Sequence, residues 1–135
     1  MAIVVRNIMA TNLITVDVGA RPLDAVKLMN ERKIGSIIVT KNGKPVGILT
    51  ERDVLAKVCD VCAPNTKIKD IMSTPIITIG TEASLDEAAT LMMKKNIRRL
   101  LITERGKIVG IITQKDVLRK TFDVLMSLSD KLRRL

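Results

Sequence analysis

Apolar and polar positions in this chain follow two periods, one of two residues and one near 3.6, and the same succession of periods is written twice. Leu13 to Val18 has the β-rich composition of a short strand. Arg21-Pro22 then begins a helix that runs to Arg32, with Leu23, Ala25, Val26, Leu28 and Met29 supplying its apolar face. Ser36 to Thr40 reads as a strand, Asn42-Gly43 as a two-residue hairpin turn and Pro45 to Leu49 as the returning strand. Helix resumes at Glu51 and runs to about Val58. After a turn-forming linker, Ala63-Pro64-Asn65-Thr66, the plan recurs: a strand at Ile76 to Ile79 and a helix over Leu85 to Lys95. Strands Arg99 to Thr103 and Lys107 to Ile112 follow about Arg105-Gly106, and a last helix starts at Gln114.

Displacing the sequence by 63 positions aligns Ile8–Leu55 with Ile71–Leu118 without a gap, and about 20 of those roughly 48 pairs are identical. This is an internal duplication. Each copy closes on a matched stretch, Gly47-Ile48-Leu49-Thr50-Glu51-Arg52-Asp53 and Gly110-Ile111-Ile112-Thr113-Gln114-Lys115-Asp116, in which an apolar strand runs into a helix. Thr at the junction and Asp three residues on can form a capping box, in which each side chain bonds the other's backbone amide. The same hydroxyl and carboxylate, placed at a strand end, can also grip a diol, as acidic residues grip ribose in dinucleotide sites. A carboxylate repels phosphate, so any phosphate has to be held by cations elsewhere.

The last helix continues its apolar pattern past the repeat, with Leu118, Phe122, Leu125, Leu128, Leu132 and Leu135 three or four residues apart. That stripe calls for a partner surface, either within the chain or on a second copy of it.

Composition narrows the chemistry. The chain has 135 residues, long enough to bury a core, and 47% of them are apolar, which predicts folding. Phe122 is the only aromatic residue, so almost nothing is present on which bases could stack. A net charge of +9 favours anionic partners, but the basic residues are dispersed, and direct nucleic-acid binding is not expected. There is no His, and no activated nucleophile or free carboxylate pair stands out, so an enzyme is not expected. Cys59 and Cys62 cannot complete a four-ligand zinc site within one chain; two chains could share one, and reduced thiols in the linker are the simpler reading. Met1 to Ile8 is too short for a signal peptide and no apolar run approaches a membrane span, so the expected location is the cytoplasm, without a membrane partner.

Met after a short lead-in, an Ala-containing helix ending in Leu-Met, two hairpin strands and then Gly-x-x-Thr-x-x-Asp, twice over: in that order the chain resembles the tandem cystathionine β-synthase (CBS) domain pair, from Val5 to about Lys120. It is similar to a stand-alone pair, with no catalytic domain attached. The resemblance implies an α+β fold of two β-α-β-β-α repeats packed by pseudo-twofold symmetry into one module, with two clefts. It places the repeats at residues 5–60 and 68–125, followed by a helical extension over 126–135. In that family the clefts bind adenosyl ligands: AMP, ADP, ATP or S-adenosylmethionine.

On the matching positions the resemblance gives the ribose to Thr50 with Asp53 and to Thr113 with Asp116. It lines the adenine pocket with the start of the central strand, Ile34-Gly35-Ser36 in one repeat and Ile97 in the other. An adenine near Gly35 and Ser36 would have its ribose on Thr113 and Asp116. The positions before the first helix, where family members carry a small polar residue against the base, are Ala20 and Ala83. Arg98 and Arg99 match basic positions directed at phosphate, to which the planar guanidinium is suited, and Arg21 is a further candidate. Adjacent residues entering a strand face opposite ways, so at most one of Arg98 and Arg99 aims at a given cleft.

The expected function is a non-catalytic sensor of adenine nucleotides whose binding changes a geometry read by an unidentified regulated protein, in a homodimer. Two other classes stay open: a structural or adaptor dimer in which Thr and Asp are only helix caps, and a basic nucleic-acid-binding regulator.

Overall fold

A computed structural model describes residues 3–135, which divide into two compact units, Leu13–Ile76 and the stretch up to Asn12 together with Ile77–Leu135. In the first unit β1 (Thr15–Asp17), β2 (Ser36–Lys41) and β3 (Lys44–Thr50) form a three-stranded sheet, β1 parallel and β3 antiparallel to β2. α1 (Pro22–Arg32) makes the crossover between the parallel strands. The second unit repeats this with β4 (Thr78–Gly80), α4 (Leu85–Lys95), β5 (Arg99–Glu104) and β6 (Lys107–Thr113). The fold is α+β, and each repeat contributes a three-stranded mixed sheet.

Local sequence accounts for these elements. Pro22 occupies the first turn of α1, where its missing N–H costs nothing, and Ser84 caps α4 by accepting from Glu87 N–H at 3.0 Å. Lys33 and Asn96 end the two helices in the left-handed conformation, so that Ile34 and Ile97 donate back to Met29 and Met92 carbonyls at 3.1 and 3.0 Å. The chain is thereby turned straight into the central strand. Both hairpins are tight turns with two residues at positive φ, Asn42-Gly43 and Arg105-Gly106. Alternation then sorts the central strands, with Ile37 and Val39, and likewise Leu100 and Ile102, joining the helix-side cores around Ala25 and Ala88.

One element departs from expectation. The helix after β3 stops at Ala56 as α2 (Glu51–Ala56), Lys57 leaves helical geometry (φ −127°, ψ 41°), and a separate α3 covers Val58–Cys62. The break redirects the chain so that Val61 enters the first core at 7% exposure. Cys59 and Cys62 therefore lie on a helix and not in a linker, both exposed and unbridged.

Each unit is completed by a lead-in segment that sequence order would assign to the other repeat. Val5, fully buried, packs into the second unit's core, and its N–H donates to Ala83 O at 2.9 Å. Ile68, also fully buried, does the same in the first unit through Ala20 O at 3.1 Å. Arg6 anchors the first lead-in with hydrogen bonds to Glu82 and to the buried Thr81, and an ion pair to Glu104 at 3.2 Å. The bond to Glu82, then the charge of Glu104, holds its guanidinium pKa above the ordinary value.

The matched Met and Gly of the duplicated sequence meet where the lead-ins cross β3 and β6. A Cβ on Gly47 would come within 2.6 Å of Met72 Sδ and 3.1 Å of Ser73 O; one on Gly110 would come within 2.9 Å of Met9 Cγ and 3.1 Å of Ala10 O. Met can yield but the carbonyls are backbone. Gly110→Val should therefore destabilise the protein by about 2 kcal/mol through overpacking, measured by urea denaturation, whereas Gly106→Ala, with open space around it, costs only its left-handed backbone strain.

Candidate functional site

The strand-to-helix junctions carry complete capping boxes. Thr50 N–H donates to Asp53 Oδ2 at 2.9 Å and Asp53 N–H donates to Thr50 Oγ1 at 3.2 Å. Thr113 and Asp116 reproduce both bonds at 2.9 and 3.2 Å, opening α5 (Gln114–Arg133). All four residues are half-buried. The antiparallel register sets Ser36 opposite Thr50 and Arg99 opposite Thr113, so the central strand begins beside each box on the same sheet face. Gly35 O and Arg98 O accept the first amides of the following helices, from Glu51 at 3.1 Å and Gln114 at 2.8 Å.

Beyond the boxes the two copies differ. In the first, the Thr50 hydroxyl donates to Asp53 Oδ2 at 3.0 Å, and Ser73 Oγ donates to Asp53 Oδ1 at 2.7 Å, so both carboxylate oxygens are engaged. In the second, no group among the described residues donates to Asp116 Oδ1, and the Thr113 hydroxyl donates to no acceptor. The cause is one side chain. Ser73 and Ala10 are repeat equivalents held in the same backbone bridge, Ser73 to Ile48 and Ala10 to Ile111, but Ala10 has no hydroxyl to offer. A hydroxyl donor and a carboxylate acceptor side by side suit a vicinal diol, so only the second junction presents both unoccupied.

The two arginines separate as alternation requires. Arg99, half-buried, shares its sheet face with Thr113, while Arg98 is exposed and lines a groove of about 520 Å³ on the helix side with Met92, Met93 and Ile97. Ile34 lines the equivalent groove of about 610 Å³. The side chains of Ile34 and Ile97 thus pack toward the helices, leaving only backbone for a ligand on the opposite face. Ala20 and Ala83 are bound up in the lead-in bonds. Arg21 reaches the Pro64 carbonyl at 3.4 Å and lines a small pocket of about 150 Å³ with Lys27 and Cys62, which contains none of the junction residues.

Ser73 and Ala10 were missed by sequence reasoning. The 63-residue displacement pairs them as one of its mismatches, but nothing local marks either as the neighbour of an Asp. Among the described residues no cluster of three metal-ligating side chains exists, and no helix is long and apolar enough to cross a membrane.

This architecture is a duplicated module of two mixed sheets, each ending in a capped Gly-x-x-Thr-x-x-Asp junction. The CBS domain family matches residues 5–60 and 68–123, and the chain belongs to it, with two CBS domains in tandem. It is 41% identical over 95 residues to the uncharacterized protein MK0525 of Methanopyrus kandleri, covering 67% of this chain and 48% of that protein, so it spans about half of that relative. Among solved structures it is similar to the CBS domain pair of protein MJ0100, in complex with 5-methylthioadenosine and S-adenosyl-L-methionine (TM-score 0.80, 26% identity, 91% of this chain and 98% of that one). It is also similar to a hexameric CBS-CP12 protein from bloom-forming cyanobacteria (TM-score 0.79, 31% identity, 87% of this chain and 67% of that one).

The bonds distinguish the two acids energetically. Thr113→Ala should cost about 1 kcal/mol of stability in urea denaturation, as the loss of an N-cap does. Asp53→Ala should cost somewhat more than Asp116→Ala, because it also removes the hydrogen bond from Ser73, and Ser73→Ala should narrow that difference.

Proposed function

We propose that this protein is a non-catalytic regulatory module that binds an adenosyl ligand, AMP, ADP, ATP or S-adenosylmethionine, and that Thr113 and Asp116 are its working ribose contacts. The observation that carries the reading is the unoccupied Oδ1 of Asp116 beside the free Thr113 hydroxyl, in a motif whose other copy is closed by Ser73. Asp53 and Thr50 then serve chiefly as a helix cap, and ligand entering there must first displace the 2.7 Å bond from Ser73. Arg99, on the same face as Thr113, is the cation for phosphate or for the carboxylate of S-adenosylmethionine. The backbone of Ile34, Gly35, Ser36 and Ile97 is the proposed contact for the base.

The family membership and the adenosyl complex of a similar CBS pair support the ligand class. The module would act by differential affinity: ligand favours one arrangement of the protein, and a regulated partner reads it. The CBS-CP12 protein is hexameric, which supports taking this one to be at least a homodimer.

A thermal-shift panel of AMP, ADP, ATP, S-adenosylmethionine and GTP tests this. At about 100 times its dissociation constant the ligand should add about 2.7 kcal/mol, several degrees in melting temperature. Asp116→Asn and Ala10→Ser should each abolish most of that shift, the latter by installing beside Asp116 the hydroxyl that Ser73 offers Asp53. Asp53→Asn should preserve it, and Ser73→Ala should add a second, weaker site. A panel without any adenosyl-dependent shift would reduce both junctions to caps; a shift lost in Asp53→Asn and kept in Asp116→Asn would reverse the assignment.

A further inference from the structure

Helix α5 is 20 residues long, on the order of 30 Å, yet Val117 is its only buried residue. Past that point its apolar side chains are open: Phe122 is 63% exposed, Leu125 54% and Leu132 69%. Packing within the chain does not account for them. Leu125, Leu128 and Leu132 also lie beyond residue 123, where the CBS match ends, so the repeat itself does not call for them.

The width of the stripe and the placing of the charges indicate what covers it. At about 100° per residue, Leu118, Phe122, Val124, Leu125, Leu128 and Leu132 fall within an arc of about 160° that holds no charged residue. The seam between two paired helices is a narrower stripe. Cations border both edges of the arc, Arg133 and Arg119 on one side and Lys131 and Lys120 on the other, the nearer of each pair within about 20° of it. Asp123 and Asp130, the two acids past Leu118, sit near the middle of the opposite, polar face.

From Leu118 onward five basic residues stand against two acidic ones, within a chain of net charge +9. The complement of this helix is therefore anionic. An acidic protein groove meets a basic helix at particular points, whereas a layer of anionic headgroups surrounds a helix lying in it and meets both edges alike. Lys and Arg at the edge of an apolar arc bury their stems beside it and carry their charge out to the headgroups, and the two acids on the far side stay in water. Among the described residues no helix is long and apolar enough to cross a membrane, so such a helix lies along the surface.

We propose that Leu118–Leu135 docks the protein on an anionic lipid surface, with its apolar arc at the boundary of headgroups and acyl chains and with Arg119, Lys120, Lys131 and Arg133 against the lipid anions. The net charge adds a longer-range attraction to the same surface. No junction residue takes part, so the proposal does not rest on the ligand reading above.

Co-sedimentation of the full chain with lipid vesicles tests it. Wild type should pellet with mixed phosphatidylserine and phosphatidylcholine vesicles at low salt, be released as salt is raised, and stay in the supernatant with phosphatidylcholine alone. Leu125→Glu/Leu132→Glu should lower the partition coefficient about tenfold or more. Lys120→Gln/Lys131→Gln, which keeps every apolar side chain, should lower it to a similar degree, about tenfold or more, and so separates lost binding from lost structure. Ser127→Gln, on the polar face, should leave binding unchanged. Wild type that ignores phosphatidylserine vesicles at low salt overturns the proposal and assigns the stripe to a protein surface. Binding that survives Leu125→Glu/Leu132→Glu also overturns it, because net charge alone would then suffice, as does binding that is equally strong to phosphatidylcholine.

Discussion

The crossing of each lead-in over a glycine is the contact on which the rest of this structure depends. Met9-Ala10 passes over Gly110, and Met72-Ser73 passes over Gly47, at distances a side chain on either glycine would violate. That approach allows the antiparallel bridges Ala10 to Ile111 and Ser73 to Ile48, and it brings Val5 and Ile68 into cores that their own repeats do not build. A lead-in set even an ångström farther out would lose the bridge and uncover the core. Close packing leaves no intermediate position.

The same crossing decides the chemistry of the junctions. Because position 10 or 73 is pinned by backbone bonds beside the capping Asp, its side chain either reaches the carboxylate or leaves it open. The duplicated motif thus has two local states with one backbone. One is a closed cap whose acceptors are satisfied; the other is a cap with a donor and an acceptor left for a ligand. Gene duplication supplies equal copies, and a single hydroxyl is enough to make them unequal, since a short bond to an ionised carboxylate occupies the oxygen that a ligand would otherwise use.

Capping and binding are not rival uses of Thr and Asp. The cap uses the Asp116 Oδ2 and the Thr113 lone pair, and so fixes both side chains in one rotamer; what remains, Oδ1 and the hydroxyl proton, is already oriented. Preorganisation of that kind lowers the ordering cost of binding. Stability and recognition are therefore carried by different atoms of the same residues.

The sequence by itself determined the duplication, the α+β element order, the hairpins and the Thr–Asp boxes, because each depends on residues within a few positions of one another or on a period that can be read directly. Helix ends, turn residues and alternation are short-range physics. The tertiary structure alone decided that α2 breaks at Lys57 to bury Val61, that Arg99 and not Arg98 joins the face of Thr113, and that the α5 stripe is open. It also decided that Ser73 closes Asp53 while Ala10 leaves Asp116 free. These depend on contacts such as that of Arg6 with Glu82, 76 residues apart, and on which side of a strand a crossing segment arrives. No local pattern encodes such a meeting, because the entropy of closing so long a loop is overcome only by the assembled core.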